Sequence, residues 1–292
     1  MKFRAHETFF IRKGWITKGL KNVDKKADVF TDKKISPTDT LGIGTNMCKS
    51  LRYWLQVLDL TVEVKEKGGK RSQNITDFGR LVFDKDRYVE ELGTLYALQY
   101  KLASNKDLAT SWYYFFNKFS LSEFTKEDYI NEIQKYISME EEEVALTSLE
   151  GDFTCIVNTY LPRHKTNARV DSPENNIESP FAELGLIDIT GNRTYKKSIP
   201  SVNSINPWIA LAVIVDQAKG NKEISISSLM NDDNNIGKVY NLDSVALLEL
   251  LHKIEKIDEL KIIRTAGLDV IHINNDYNFL DCMKKYYESF EF

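Results

Sequence analysis

The sequence predicts a mainly α-helical α+β chain with small β-hairpins, opened by a winged helix-turn-helix and closed by a second winged-helix-like unit. Three observations predict it. Residues 36–83 run helix, turn, helix, alternating strand, basic hairpin tip, strand and helix. Residues 84–162 carry apolar side chains at helical spacing. Residues 205–292 run through helices, a hairpin and a final helix again, although no sequence repeat accompanies the order. Four segments follow: a winged helix-turn-helix domain at 1–83, a helical middle at 84–162, a linker with a short strand at 163–204, and a winged-helix-like domain at 205–292.

In chain order, the arm Phe3-Arg4-Ala5-His6-Glu7-Thr8 leads into Phe9-Phe10-Ile11 and Gly14-Trp15-Ile16. Trp15 to Val29 predicts an amphipathic helix with Trp15, Ile16, Leu20 and Val23 on its apolar side. Ser36-Pro37 starts a short helix, with Ser as N-cap and Pro at the first helical position. Gly42-Ile43-Gly44 ends it, and Thr45 is expected to cap the next helix, about Asn46 to Leu58. On that helix Met47, Leu51, Trp54, Leu55 and Leu58 share one side. Asn46, Lys49, Ser50 and Tyr53 share the other, flanked by Arg52 and Gln56.

Leu60 to Val64 alternates like a strand, Gly68-Gly69-Lys70-Arg71 forms the tip, and a second strand ends at Ile75. A winged helix places the polar side of one helix in the major groove and its hairpin on the flanking backbone. The residues expected to meet duplex DNA are therefore Thr45, Asn46, Lys49, Ser50, Arg52 and Tyr53 on the helix, with Lys67, Lys70 and Arg71 on the wing.

The middle segment predicts helices at Tyr88 to Leu102, at the aromatic run Thr110 to Phe119, and from Thr125 through Ile137. Thr125 and Asp128 have capping-box spacing, and the six rings from Trp112 to Phe119 read as a core anchor. Glu140 to Glu143 is expected at the start of the next helix, where the macrodipole favours acid, and Val144 to Leu161 continues it. Beyond Pro162 the chain turns polar, with His164, Lys165 and Arg169 in a connector. A strand is expected at Arg193 to Tyr195 after a Gly191-Asn192 turn. Helices follow at Pro207 to Lys219, Ser225 to Met230 and, capped by Asp243, up to Ile257. A hairpin turning at Ala266-Gly267 and a last helix from Tyr277 to Phe290 complete the chain.

Composition narrows the class. With 42% hydrophobic and 28% charged residues the chain is an ordinary globular one. No run of eighteen apolar residues offers a transmembrane helix. The N-terminus lacks the apolar stretch of a signal peptide. Cys48, Cys155 and Cys282 lie far apart without metal-ligand spacing and suit a reducing cytoplasm. Net charge is −4, yet residues 1–80 hold 17 Lys and Arg against 9 Asp and Glu. That makes the N-terminal part positive and the remainder negative, the footprint of a surface that faces phosphate. No HExxH, GxSxG or phosphate-loop motif is present.

The chain also resembles a prokaryotic family known as domain of unknown function 4007. The resemblance rests on Phe3 to Phe9, Gly14-Trp15, Leu41 to Met47, Arg52-Tyr53-Trp54 and Leu102 to Asn105. It continues in Thr110 to Tyr113 and Pro180 to Leu186, with Phe10 standing where family members tend to have Pro. It implies a bacterial protein encoded near phage-defence or DNA-modification genes, often beside a sulfotransferring reductase-like enzyme of the phosphorothioation type. It implies no activity and supplies no functional residues.

The resulting expectation is a non-catalytic, cytoplasmic DNA-binding component of a defence or DNA-modification system, without cofactor, metal or membrane contact. Its partners would be double-stranded DNA and a modification-system protein. A protein adaptor that holds a modification enzyme is the alternative. An enzyme with an unrecognised site near His6, Glu7 and the aromatic run is a third class.

Overall fold

The computed structural model describes residues 1–65, 69–162, 178–191, 193–265 and 268–290. The expected wing residue Lys67, the connector residues His164, Lys165 and Arg169, and the turn residues Gly68, Asn192, Ala266 and Gly267 lie outside them. The chain is α+β, helices carrying small antiparallel sheets.

Helix α1 (Trp15–Lys25) buries Trp15, Ile16, Leu20 and Val23, as the periodicity predicts. It stops before Val29 because Lys26 turns extended and closes on the Asn22 carbonyl. Helix α2 (Pro37–Leu41) has Ser36 as its N-cap and Gly42 in the left-handed region at φ 63° as its stop. Helix α3 (Thr45–Val57) corrects one expectation: the cap is Gly44, without a side-chain hydrogen bond, and Thr45 is the first helical residue. Strands β1 (Thr61–Lys65) and β2 (Arg71–Ile75) pair antiparallel, Thr61 opposite Ile75 and Lys65 opposite Arg71. The Thr76 hydroxyl accepts from Gly79 N at 2.9 Å and so caps α4 (Asp77–Lys85). Gly79 lies so close to the end of α3 and the hairpin that a Cβ there would stand 2.1 Å from the Leu60 carbonyl oxygen. Only glycine fits.

Helix α5 (Leu92–Ala103) begins later than Tyr88. The Asp86 carboxylate accepts from Glu90 N at 2.9 Å and Glu91 N at 3.1 Å, and Val89 sits at φ 54°, so the preceding residues form a turn. Helix α6 (Thr110–Asn117) is buried on every side, its rings packed edge-to-face with those of neighbouring helices. Strand β3 (Glu123–Phe124) precedes α7 (Lys126–Met139), whose Thr125/Asp128 capping box forms as the spacing predicts. Helix α8 (Leu146–Tyr160) starts after the acidic run. Glu140 to Glu143 therefore follow the C-terminus of α7, where the macrodipole opposes acid. Lys106, 2.9 Å from Glu140, supplies the compensating charge.

A 3-10 turn (Pro180–Leu184) leads to β4 (Ile187–Gly191) and β5 (Thr194–Lys197). The sheet order β3-β5-β4 joins residues of the helical middle to the expected linker strand. Helix α9 (Pro207–Ala218), β6 (Glu223–Ser225), α10 (Ile226–Asn231) and α11 (Ile236–Val239) follow. Then come α12 (Ser244–Lys256), β7 (Leu260–Thr265), β8 (Leu268–Ile273) and α13 (Phe279–Glu288), with sheet order β6-β8-β7. Asp243 caps α12 by accepting from Ala246 N at 2.8 Å. The short β3, β6 and α11 leave no mark in the sequence, being too brief to carry a period.

Helix α13 unites the two ends of the chain. Phe279 meets Phe78 of α4 with ring centroids 5.3 Å apart, and the Tyr286 hydroxyl accepts from Gly93 N at 3.0 Å. Lys101 stands 4.0 Å from the Phe279 ring centroid and 3.3 Å from Asp59. The first and last units are thus bolted through α5 rather than strung on a linker. Among the described residues no helix is long and apolar enough to cross a membrane. The three cysteines are buried and free.

Candidate nucleic-acid interface

The site is built from α3, the β1–β2 hairpin and the N-terminal arm. The arm turns tightly, with Arg4, Glu7 and Thr8 all at positive φ (53°, 51° and 67°). For non-glycine residues this costs about 1 kcal/mol each, so something must hold it. A buried network does. Asp152 of α8 accepts from Arg4 N at 2.8 Å and from Ser111 Oγ of α6 at 2.5 Å, and it lies 2.7 Å from His6 Nε2. His6 has no exposed surface, Asp152 is 1% exposed, and the imidazole packs edge-on against Trp112. The contact ties the arm to α6 and α8. Its Nδ1 has no hydrogen-bond partner among the described residues.

Held there, the arm lies along α3. The Phe9 carbonyl accepts from Ser50 Oγ at 3.2 Å and from Trp54 Nε1 at 3.0 Å. This overturns two of the expected DNA contacts. Ser50 is fully buried, and Tyr53 is 7% exposed with its ring 6.3 Å from that of His6. Burial, with the Asp152 charge second, pushes the Tyr53 phenol well above its ordinary value. Both residues belong to the core because a main-chain carbonyl satisfies Ser50 and the arm covers Tyr53. Neither is available to a base edge.

What remains outward is the first part of α3. Thr45, Asn46 and Lys49 are exposed, with Lys49 Nζ donating to Asn46 Oδ1 at 3.3 Å. Arg52 is only partly exposed, and its Nη2 bonds the Glu63 carboxylate. Glu63 also accepts from Arg71 Nη1 at 3.2 Å. On the wing Lys70 and Arg71 are exposed, and Lys70 lies 2.5 Å from Asp28. The Lys70 hydrogen bond holds the Asp28 carboxyl below the usual carboxylate range. Of the expected residues, the structure therefore gathers Thr45, Asn46, Lys49, Arg52, Lys70 and Arg71 along α3 and the hairpin.

The positive excess of the first eighty residues is partly neutralised from within. Lys26 pairs with Asp32, Arg80 with Asp24 at 2.7 Å, and Lys13 with Glu183 at 2.6 Å. Sequence reading missed these carboxylates, which lie far along the chain or across a turn. It also missed a cleft of about 330 Å³ where Lys2 and Glu7 of the arm face Lys49, Arg52, Glu63 and Arg71. A larger cavity of about 770 Å³ lies elsewhere, between the β4–β5 hairpin and α11–α12, lined by Lys196, Lys197, Lys238, Asp188 and Asp243. Lys197 donates from Nζ to the Phe115 and Phe119 carbonyls, each at 2.6 Å, and closes the end of α6. Among the described residues no group of three or more His, Cys, Asp or Glu side chains converges as metal ligands would.

A family model described as protein of unknown function (DUF4007) matches residues 3–287. Two crystal structures of SspB, one of them bound to magnesium ion, are similar to the chain, with TM-scores of 0.86 for the magnesium-bound form and 0.85 for the other. Each is 26% identical and covers 98% of this chain and 88% of that chain. No curated protein matches.

Proposed function

The chain belongs to the DUF4007 family of proteins of unknown function, and from that premise we propose that it is a non-catalytic, winged-helix DNA-binding component of a prokaryotic defence or DNA-modification system of the phosphorothioation type. One observation carries the reading. The exposed start of α3 (Thr45, Asn46, Lys49) stands beside a hairpin whose Lys65, Lys70 and Arg71 are exposed. A recognition helix reads base edges with its N-terminal residues, while phosphate contacts fix its register. Loss of Ser50 and Tyr53 from the surface shortens the reading face to the first two turns and leaves its leading end intact. Element order supports the same reading: α1, α2 and α3 precede β1 and β2, and α9, α10 and α12 precede β7 and β8.

The test is duplex binding titrated with salt, on DNA with and without backbone sulfur. Lys49→Ala combined with Arg71→Ala weakens binding and lowers the slope of log affinity against log salt by about two. An unchanged slope removes both residues from the interface. A second reading, an adaptor that holds a modification enzyme, draws on Val62 and Val64. These are 51% and 37% exposed on the outer face of the hairpin, where a DNA backbone has no use for them. Under that reading Val62→Lys abolishes enzyme binding while duplex DNA is not bound at all.

A further inference from the structure

The hairpin register puts Glu63, Gln73 and Arg71 on the sheet face turned toward α3, with Glu63 opposite Gln73 and Arg71 two residues along from Gln73. From across the cleft, Arg52 reaches the same carboxylate. Two guanidinium groups, from elements that meet only in the folded chain, thus close on one two-oxygen anion. Glu63 is 19% exposed at its side chain and Arg52 23%, so the pair stands at the cleft wall, within reach of solvent. Lys2 and Lys49 line the same cleft, and Glu7 is the second carboxylate there.

A simple staple between helix and hairpin needs one cation. Here four line the cleft against two carboxylates, and two of the four share a single acid. That arrangement has the shape of an anion seat. Guanidinium groups bind carboxylate and phosphate through the same planar fork, so one can replace the other without moving either arginine. The cleft volume of about 330 Å³ leaves room for an anion larger than a carboxylate.

We propose that the cleft between the arm, α3 and the hairpin is a phosphate subsite, and that Glu63 occupies it in the free protein as an internal stand-in for the phosphate. The inference rests on the DNA-binding reading for the source of that phosphate, the backbone of the duplex, but not for the existence of the seat. Glu63 then serves as a gate. It keeps Arg52 and Arg71 from binding every polyanion and yields only when the start of α3 is seated well enough to deliver a phosphate at that place.

The experiment compares the full chain with its Glu63→Gln variant, which keeps the side-chain shape and removes the charge. Inorganic phosphate is titrated calorimetrically in a chloride buffer, and duplex DNA is titrated separately by anisotropy. The expected result is that Glu63→Gln binds both ligands about tenfold more tightly than the parent. Its DNA affinity also depends more steeply on salt. Arg52→Gln added to Glu63→Gln erases the gain. Tighter phosphate binding with no duplex binding keeps the seat, assigns it to free phosphate and defeats the DNA reading. Duplex binding by the parent that Glu63→Gln leaves unchanged or weakens, with phosphate binding unmoved, keeps the DNA reading and overturns the seat. Binding of neither ligand overturns both. Should Glu63→Gln not fold, Glu63→Ala, which also removes the charge from the seat, carries the test. It must tighten phosphate binding about tenfold, and an unchanged affinity overturns the proposal.

Discussion

Replacing Asp152 with Ala tests the buried network that seats the N-terminal arm. The carboxylate accepts from Arg4 N, at 2.8 Å, and from Ser111 Oγ, at 2.5 Å, and stands 2.7 Å from His6 Nε2, all in a site where Asp152 is 1% exposed. An unpartnered buried donor costs roughly 1–3 kcal/mol. The substitution orphans two such donors and the imidazole, although water entering the space returns part of that loss. An overall destabilisation of about 4 kcal/mol follows, within the range for breaking a buried polar pair. For a chain of this size it lowers the unfolding midpoint by about 7 °C. Thermal and urea unfolding measure it. His6→Ala removes the same contact from the other side, so the double variant should fall short of the sum of the singles by ~2 kcal/mol. Since the arm then loosens from α3, Tyr53 should also become accessible to solvent quenching. A loss below about 1 kcal/mol, or simple additivity of the two substitutions, refutes the idea that this network holds the arm.

Two further outcomes are expected. Gly79→Ala should destabilise by about 3 kcal/mol, because the added methyl would lie 2.1 Å from the Leu60 carbonyl oxygen and backbone must move to admit it. A loss under ~1 kcal/mol in urea unfolding argues against so close an approach. Burial, with the charge of Lys238 second, lowers the Lys197 ammonium from 10.5 to about 7. Between those values the unfolded chain binds the extra proton, so stability rises with pH across that window, by at most ~1.4 kcal/mol per pH unit. The two carbonyls that accept from its Nζ temper the slope. Unfolding midpoints of Lys197→Met should lack the rise, and an identical pH profile in the variant assigns it elsewhere.

Much of the local structure is legible in the sequence. Ser36-Pro37, Asp243 and the Thr125/Asp128 box start their helices as the sequence predicts, because capping is chemistry between residues two or three apart. The apolar sides of α1 and α12 are buried as their periods require. The aromatic run of α6 is core. What misled was polarity taken as a sign of exposure. Ser50 and Tyr53 carry polar groups and fall on the face opposite Leu51 and Leu55. A serine hydroxyl satisfied by a main-chain carbonyl is nevertheless as much at home in the interior as a methyl group. Glu140 to Glu143 follow α7 instead of opening α8, a difference the sequence hides because a loop between two amphipathic runs leaves no periodic mark.

Residue order along the chain sets the α+β class, most helix starts, the apolar stripes and the positive N-terminal part, all properties fixed between near neighbours. Which face of α3 stays free is settled by packing between segments far apart in the chain. That choice depends on His6 meeting Asp152 across 146 residues and on Glu63 folding back between Arg52 and Arg71. Charges and polar groups have no fixed orientation in a linear text. They acquire one when packing brings distant segments within a few ångströms, and that contact sets which cations are held inward and which still face solvent.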